Sequence, residues 1–405
     1  MNIKLWWQIH RETRKNSYYL SPSHHGGGGY FLIVAKELKV WFDAIRMPWN
    51  KKYNTQLYEG KRKNKIQMLW ENIVWAFKYR EACTCYFLYG LDVKGTDPNE
   101  YVGYNEFRII RNILNIRQRE TLPTNYTFNY LALVRDKYVF YKFCDSLHMP
   151  HPKLIALVRN GEISMENRQN MEFEDLRAIL SLNADVFCKE TTGELGKGAF
   201  PLIIEAGRLY TKDEEITIDE LKKKFGKSTY VIQERLTNHP AIREVYPHSL
   251  NTIRLNTVMN VDGNVEYYGA ELRFGTGGKF VDNAGQGGFF VGINEDGTLK
   301  NIGYYDPGKR QVSIVREKHP DTEVTFAGLK IPYWQEIKQQ SILFHKYLYG
   351  LPSLGWDIAV TEEGFYFTEA GEDWEIQLDQ CAYGGRRKDF YRTHGYALEK
   401  KIRRY

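Results

Sequence analysis

Asp357 and Glu369 lie in two apolar, strand-like runs, WDIAVT and FYFTEA, on either side of Glu362-Glu363-Gly364. Both runs are rich in β-branched and aromatic residues, as half-buried strands are. A three-residue loop ending in glycine closes such a hairpin. Folding about residue 363 opposes 361 with 365, 359 with 367 and 357 with 369. Residues opposed in this way share a face, with Cβ atoms about 4.5–5.5 Å apart. Two like charges at that spacing repel unless one is protonated or a cation bridges them. Mg²⁺ suits the bridged case, because it takes one or two carboxylates and completes its octahedron with phosphate oxygens and water. An exposed hairpin whose acids point into solvent explains the spacing equally well. The metal–phosphate reading therefore needs support from elsewhere in the chain.

Phosphate-binding chemistry has candidates upstream. In ADVFCKETTGELGKGAF (184–200) a strand ends on Lys189, and Gly193, Gly196 and Gly198 surround Lys197. Glycines let backbone N–H groups approach phosphates, and a lysine supplies a point charge. The spacing is not that of a Walker A loop, and no Ser or Thr follows the lysine. A glycine-rich hairpin lid over ATP fits better; an ordinary turn also fits. YVIQERL (230–236) reads as a strand whose end forms a hinge for adenine, with backbone groups of Glu234–Leu236 reading its edge, or simply as a strand. Alternation in SLNTIRLNTVM (249–259) puts Asn251, Ile253 and Leu255 on one side and Thr252, Arg254 and Asn256 on the other. An arginine there is costly to bury without an anion, whether phosphate, substrate carboxylate or structural acid. Arg273 and Asp282-Asn283 lie in ELRFGTGGKFVDNAGQGGFFVGI (271–293), a glycine-rich segment that could close on substrate.

Positioning these groups requires a folded body, and the composition provides one. The chain has 405 residues, 42% hydrophobic and 15% aromatic, enough for two or three subdomains with their own cores and incompatible with disorder. The apolar run YFLIVA (30–35) is far too short to span a bilayer, and MNIKLWWQIHRETRK lacks the apolar core of a signal peptide. Five cysteines (83, 85, 144, 188 and 381) show no paired framework, which reads as reduced thiols in the cytoplasm. Cys83-Thr-Cys85 reads as packing rather than a metal site, and His24-His25 as part of a loop with Gly26–Gly29. A net charge of +6 favours an anionic partner without specifying one, and nothing points to nucleic acid.

Residues 1–120 read as mostly helical and basic. Nine Lys or Arg against two Glu fall between Arg46 and Arg80, interleaved with Trp49, Tyr53, Trp70 and Trp75. Ile66, Leu69, Ile73 and Phe77 make a helical stripe. Either this helix packs on the body with a solvated basic face, or the region docks on an anionic lipid headgroup or glycan. LPTN (122–125) marks a boundary. A helix over 129–147 stops at MPHP (149–152), and a strand over 154–158 and a short helix over 175–180 follow. From 184 short β segments alternate with glycine turns, with a late helix over 331–351. The absence of a βαβ rhythm predicts an α+β fold, divided at 1–125, 126–240 and 241–405.

Taken in order, DK (136–137), CKETTGELGKG (188–198), QERLTNHP (233–240), SLNTIR (249–254), RFG…VDNAGQGG (273–288), HP (319–320), IP.W (331–334) and GWDIAVT…EAG (355–371) resemble the sugar-transfer-associated ATP-grasp family, over roughly residues 125–380. The resemblance implies two α+β subdomains clasping ATP and a role in building cell-surface polysaccharide such as capsule or O-antigen. It implies that Lys137 and Lys189 hold the α- and β-phosphates, with Gly196, Lys197 and Gly198 as the lid. Gln233, Glu234 and Leu236 would line the adenine and ribose pocket. Arg254 would face the γ-phosphate or acyl phosphate, with Lys189 and Arg273 as its catalytic companions. Asp357 and Glu369 would bind Mg²⁺. The superfamily usually ends this metal motif Glu-x-Asn, whereas here Ala370 and Gly371 follow Glu369. Glu372 or Asp373 would then replace the missing oxygen, or a second Mg²⁺ binds weakly. The expected activity is an ATP-dependent carboxylate–amine ligation through an acyl phosphate, joining a uronic acid or related glycan acid to an amine, in the cytoplasm or at the inner face of the membrane. Two alternatives are a sugar or polyol kinase and a non-catalytic nucleotide-binding partner of a glycosyltransferase.

Overall fold

Strands and turns alternating between residues 154 and 371 build two antiparallel sheets in this computed structural model, which describes residues 7, 28–50, 58–120, 130–160, 162–165, 170–172, 176, 180, 184–193, 196, 198–211, 214–282, 287–305, 315–372 and 374–395. The first sheet comprises β1 (Leu154–Arg159), β2 (Glu162–Met165), β3 (Asn170–Glu172), β4 (Ala184–Glu190), β5 (Phe200–Glu205), β6 (Arg208–Thr211), β7 (Glu214–Ile216) and β8 (Tyr230–Glu234). Its spatial order is β3-β2-β1-β8-β4-β5-β6-β7. The second comprises β9 (Thr252–Met259), β10 (Val265–Phe274), β11 (Phe289–Ile293), β12 (Leu299–Tyr305), β13 (Val315–Arg316), β14 (Ser353–Val360) and β15 (Phe365–Gly371), in the order β13-β12-β11-β10-β9-β14-β15. The α+β expectation holds.

Alternation along β4 and β8 divides their side chains between two environments. Val186, Cys188 and Ile232 enter the first sheet's core, whereas Val231 joins the core of the second sheet. Phe187 and Lys189, paired with Gln233 and Val231, therefore share the face turned toward the second sheet. On the second sheet, Ile253, Leu255, Ile358 and Phe367 fill the main core together with the late helix, observed at Trp334–Tyr347. Thr252, Arg254 and Asn256 alternate onto the opposite face, as predicted.

The helix predicted over 129–147 is interrupted. A single turn at Ala132–Arg135 is followed by a helix over Lys137–Ser146. Asp136 between them is extended, and its carboxylate accepts from the backbone N–H groups of Tyr138 and Val139. Acidic N-caps start helices in this way, so a new helix begins at Lys137. Of the predicted helix at 175–180 only Leu176 and Leu180 are described, both buried. The LPTN boundary and the His24-His25 loop fall outside the described residues.

Helices at Gly28–Arg46, Lys65–Tyr79 and Tyr104–Glu120 bear out a helical N-terminal region. The stripe predicted to pack is not the one that does. Met68, Asn72, Trp75, Ala76 and Tyr79 are buried, whereas Ile66 and Phe77 are exposed and Leu69 and Ile73 half-buried. The physical reason is aromatic area: Trp75 and Tyr79 stack edge to face, and Tyr79 lies flat against Gly103, where a Cβ would come within 2.4 Å of the ring. All five cysteines are buried, and none forms a disulfide.

Candidate active site

The hairpin that carries Asp357 and Glu369 closes with one residue more than predicted. Val360 pairs with Phe365, Ala359 with Tyr366 and Ile358 with Phe367, leaving 361–364 as the turn. The Thr361 N–H closes it by donating to the Gly364 carbonyl at 2.7 Å. The predicted pairs 361/365 and 359/367 are therefore off by one. A β-bulge then places Thr368 and Glu369 against Asp357, and Asp357 pairs with Glu369 as predicted. Without the bulge the one-residue slip would turn Glu369 to the core face. The Thr368 hydroxyl secures the bulge by donating to the Asp357 carbonyl at 3.0 Å.

Register across the sheet builds a polar row. Glu369 pairs with Asp357, Asp357 with Arg254, and Arg254 with Glu271, so four charged residues of four strands share one face. Arg254 holds Asp357 through Nε at 2.6 Å and Nη2 at 3.2 Å, a two-point clamp. Arg273, two residues along from Glu271, adds Nη2 at 2.9 Å. Burial pushes the Asp357 carboxyl up, but the two guanidinium groups outweigh it and hold it well below the usual carboxylate range. Arg273 also donates to the Thr252 hydroxyl at 2.7 Å and lies 3.8 Å from Asp282. Asp282 in turn accepts from the Thr252 N–H and hydroxyl. The glycine-rich segment is thus anchored at Asp282, and its start is fixed by Gly275 N–H on the Ser249 hydroxyl and by the Lys279 carbonyl on Tyr246. Asn283 lies outside the described residues.

Glu369 is met by Lys189 of β4 in the other sheet and by Lys137 at the start of the helix over Lys137–Ser146. Lys189 Nζ lies 3.3 Å and Lys137 Nζ 3.7 Å from its Oε1. Lys137 is itself fixed by donating to the Gly193 carbonyl at 2.7 Å, in the glycine-rich loop. The sheets are joined just behind these ion pairs, where the Tyr141 hydroxyl sits 2.7 Å from Gln233 Oε1 and 3.0 Å from the Thr368 carbonyl. Gly196 and Gly198 both have φ +71°, a conformation that favours glycine. Lys197 lies outside the described residues, as does Asp373. The structure thus brings Lys137, Lys189, Gln233, Arg254, Arg273, Asp357 and Glu369 to one cleft. Glu234 is at its edge, where its N–H donates to the Lys153 carbonyl at 3.0 Å and its carboxylate accepts from the Lys153 N–H. That N–H is engaged with Lys153, and Leu236 lies two residues beyond the end of the strand.

Two residues went unread in the sequence, and a third, Asn256, was placed on the Arg254 face without a role. Glu271, fully buried, has its carboxyl pushed up to about 8 by burial and then by the charge of Asp379. Tyr141 joins the sheets. Asn256 is 1% exposed, and its Oδ1 has no hydrogen-bond partner among the described residues. Glu271 and Asn256 had a legible signal, namely their even spacing from Arg273 and Arg254, but only strand pairing gives that spacing its meaning.

Asp357 and Glu369 are hard oxygen donors on one face, beside lysines that suit phosphate oxygens, and that chemistry fits Mg²⁺. The described residues contain no group of three or more His, Cys, Asp or Glu that could hold a metal ion. Glu372, one predicted replacement for the missing motif oxygen, is taken by Arg135, whose Nε donates to it at 3.1 Å.

A family model described as sugar-transfer associated ATP-grasp matches residues 117–388. No curated protein matches the chain. Among solved structures, the chain is similar to a biotin carboxylase–β,γ-ATP complex from Campylobacter jejuni, with 14% identity over 66% of this chain and 47% of that one and a TM-score of 0.37. It is also similar to an N5-carboxyaminoimidazole synthetase from Staphylococcus aureus complexed with ADP (12% identity, 72% and 57%, TM-score 0.36). A D-alanine–D-alanine ligase from Helicobacter pylori gives 12% identity over 66% and 61%, with a TM-score of 0.36. The chain spans about half the length of the solved structures it matches.

Proposed function

The chain belongs to the sugar-transfer associated ATP-grasp family, whose superfamily members are ATP-dependent ligases using ATP and Mg²⁺, and from that premise we propose that it joins a glycan carboxylate to an amine. In this reading ATP phosphorylates the carboxylate, the amine displaces phosphate from the acyl phosphate, and an amide, ADP and phosphate result. Lys137 and Lys189 bind the α- and β-phosphates beneath the loop that carries Gly196 and Gly198. Gln233 and the chain from Glu234 to Leu236 border the base and ribose. Arg254 and Arg273 neutralise the γ-phosphoryl group and the carboxylate it activates. Asp357 and Glu369 hold Mg²⁺, which supplies positive charge to the phosphate oxygens; Lys197 and Asp373 are assigned to lid and metal on the family pattern alone. Positioning and charge neutralisation are what phosphoryl transfer asks of a protein.

One observation carries this reading: two carboxylates on one strand pair are faced by two arginines of their own sheet, by Lys189 of the other sheet and by Lys137 at the start of a helix. The expected result is ADP release that requires a uronic acid, an amine and Mg²⁺ together, with a product lighter than its two substrates by one water. ADP release with a product gaining phosphate would make it a kinase, and nucleotide binding without turnover would make it a binding module.

The N-terminal region supports a peripheral role at an anionic membrane surface. Leu38, Phe42, Ile45, Trp49, Ile66 and Trp70 are all at least half exposed on neighbouring helices. Lys65 lies over the Trp49 ring and Arg46 over Phe42. Exposed aromatic and aliphatic side chains mixed with basic ones suit the interface of an anionic bilayer. No described helix is long and apolar enough to cross a membrane. Co-sedimentation with phosphatidylglycerol vesicles, lost in I66E/W70E, is the expected outcome; equal recovery without vesicles would discard it.

A further inference from the structure

The loop between β4 and β5 and the segment that follows β10 meet across the cleft. Both are glycine-rich, but they are held differently. The segment after β10 is pinned along its length. The Gly275 N–H donates to the Ser249 hydroxyl at 3.2 Å, the Gly277 N–H to Asp321 at 2.6 Å, and the Tyr246 hydroxyl to the Lys279 carbonyl at 3.0 Å. The Val281 carbonyl packs on Gly275, where a Cβ would come within 3.1 Å of it, and Asp282 accepts from the Thr252 N–H at 2.8 Å. In the loop between β4 and β5, the Gly193 carbonyl accepts from Lys137 Nζ at 2.7 Å, beside Glu369. Gly198 lies against its own sheet, where a Cβ would approach Tyr230 to 2.9 Å and Glu190 to 3.1 Å. Gly196 reaches the opposite side: a Cβ built on it would lie 3.3 Å from Val281 Cγ1 and 3.8 Å from Val281 Cβ. The loop therefore runs over the polar row, from Lys137 at the Glu369 end to Val281 at the end that holds Asp282 and Arg273.

We propose that Val281 is the seat on which the loop between β4 and β5 closes, and so a positioning residue that sets how long nucleotide is retained. The inference rests on the ATP-grasp reading, which places a nucleotide beneath this loop. The segment after β10, which the sequence suggested could close on substrate, is instead what the loop closes against. Hydrogen bonds to four other parts of the chain hold the seat, whereas Gly196 meets it through van der Waals contact. Each such atom pair contributes little, so this contact is the one that opens and re-forms as nucleotide enters and leaves.

A disulfide tests the contact and its consequence together. Bridged cysteines have Cβ atoms about 3.5–4.5 Å apart. The 3.8 Å between the Gly196 and Val281 positions lies within that range, and the five native cysteines are buried. G196C/V281C is loaded with fluorescent N-methylanthraniloyl-ADP and Mg²⁺ and then oxidised. Release of the nucleotide is expected to slow at least about 100-fold and to recover on reduction. V281A, which shortens the seat, should release it about fivefold faster than the wild type. Gly196 has φ +71°, which strains a cysteine there, so V281A decides should the double variant fail to fold or to close its bridge. A closed bridge that leaves release unchanged, or wild-type release from V281A, overturns the proposal. The wild type separates two failures. If it binds the nucleotide and these variants release it normally, only the role of Val281 falls; if it binds none, the ATP-grasp reading falls as well.

Discussion

Asp357 and Glu369 oppose each other on one strand pair, yet they are held in opposite ways. Asp357 is clamped by two guanidinium groups of its own sheet, at 2.6 and 2.9 Å, and is largely buried. Glu369 has a side chain 39% exposed and meets a lysine of the other sheet at 3.3 Å and one at a helix start at 3.7 Å. Arginine's planar fork fixes geometry, whereas a lysine is a mobile point charge that exchanges partners readily. The first arrangement is fixed within one rigid sheet. The second spans the cleft, where phosphate oxygens can take over the lysines and a cation can take over Glu369. The difference divides the work: Asp357 with its arginines is a preset frame, and Glu369 with its lysines is the part that substrate rearranges.

The sharpest way to break this division is D357N. It leaves buried Arg273 and half-buried Arg254 short of their counter-charge, and breaking such a buried pair costs about 3–5 kcal/mol. Turnover should fall about 10³-fold or more and the melting temperature should drop; wild-type melting would mean that Asp357 is not the frame. E369Q should separate the two properties. Turnover is expected to fall about 10²–10³-fold, as when one electrostatic contact to a transition state is lost. Because the Glu369 side chain is 39% exposed and screened by water, stability should change by only about 1 kcal/mol. Calorimetry and ADP release on the same preparation check both.

A smaller effect is expected from K189M, which should weaken ADP binding about tenfold, or about 1.4 kcal/mol, with little loss of stability. Equal binding would show that Lys189 serves Glu369 alone. The smallest concerns Glu271, third carboxylate of the row. Its folded pKa is raised from 4.5 to about 8 by burial, so the folded chain keeps a proton that the unfolded chain releases in between. Stability therefore falls as pH rises through that window, by at most about 1.4 kcal/mol per pH unit. E271Q should flatten that fall, measured as melting temperature between pH 5 and pH 8; an unchanged slope would mean that Glu271 is already ionised.

How the site could be read from sequence differs from one residue to the next. Lys189 and Arg254 were legible because each ends or interrupts a strand pattern with a charge, which is costly without an anion. The Asp357–Glu369 pair was also legible, although a four-residue turn and a bulge at Thr368 reach it where a shorter turn was expected. The two errors cancel because residue 369 must return to the cleft face. The packing face of the helix over Lys65–Tyr79 was misread, since its apolar periodicity offers two stripes and the choice lies with Gly103 and the aromatic rings across from it.

The sequence by itself determined the class of fold, the order of its elements and the types of charge near the cleft, because alternation, glycine turns and capping are local. Only the tertiary structure decided which charge each residue meets. That Asp357 answers to arginines and that Asn256 lies across two glycines are consequences of register between strands distant in sequence, which a one-residue slip would have reversed. That Glu369 answers to lysines from 180 and 232 residues away follows from the first sheet and the helix over Lys137–Ser146 being packed beside it.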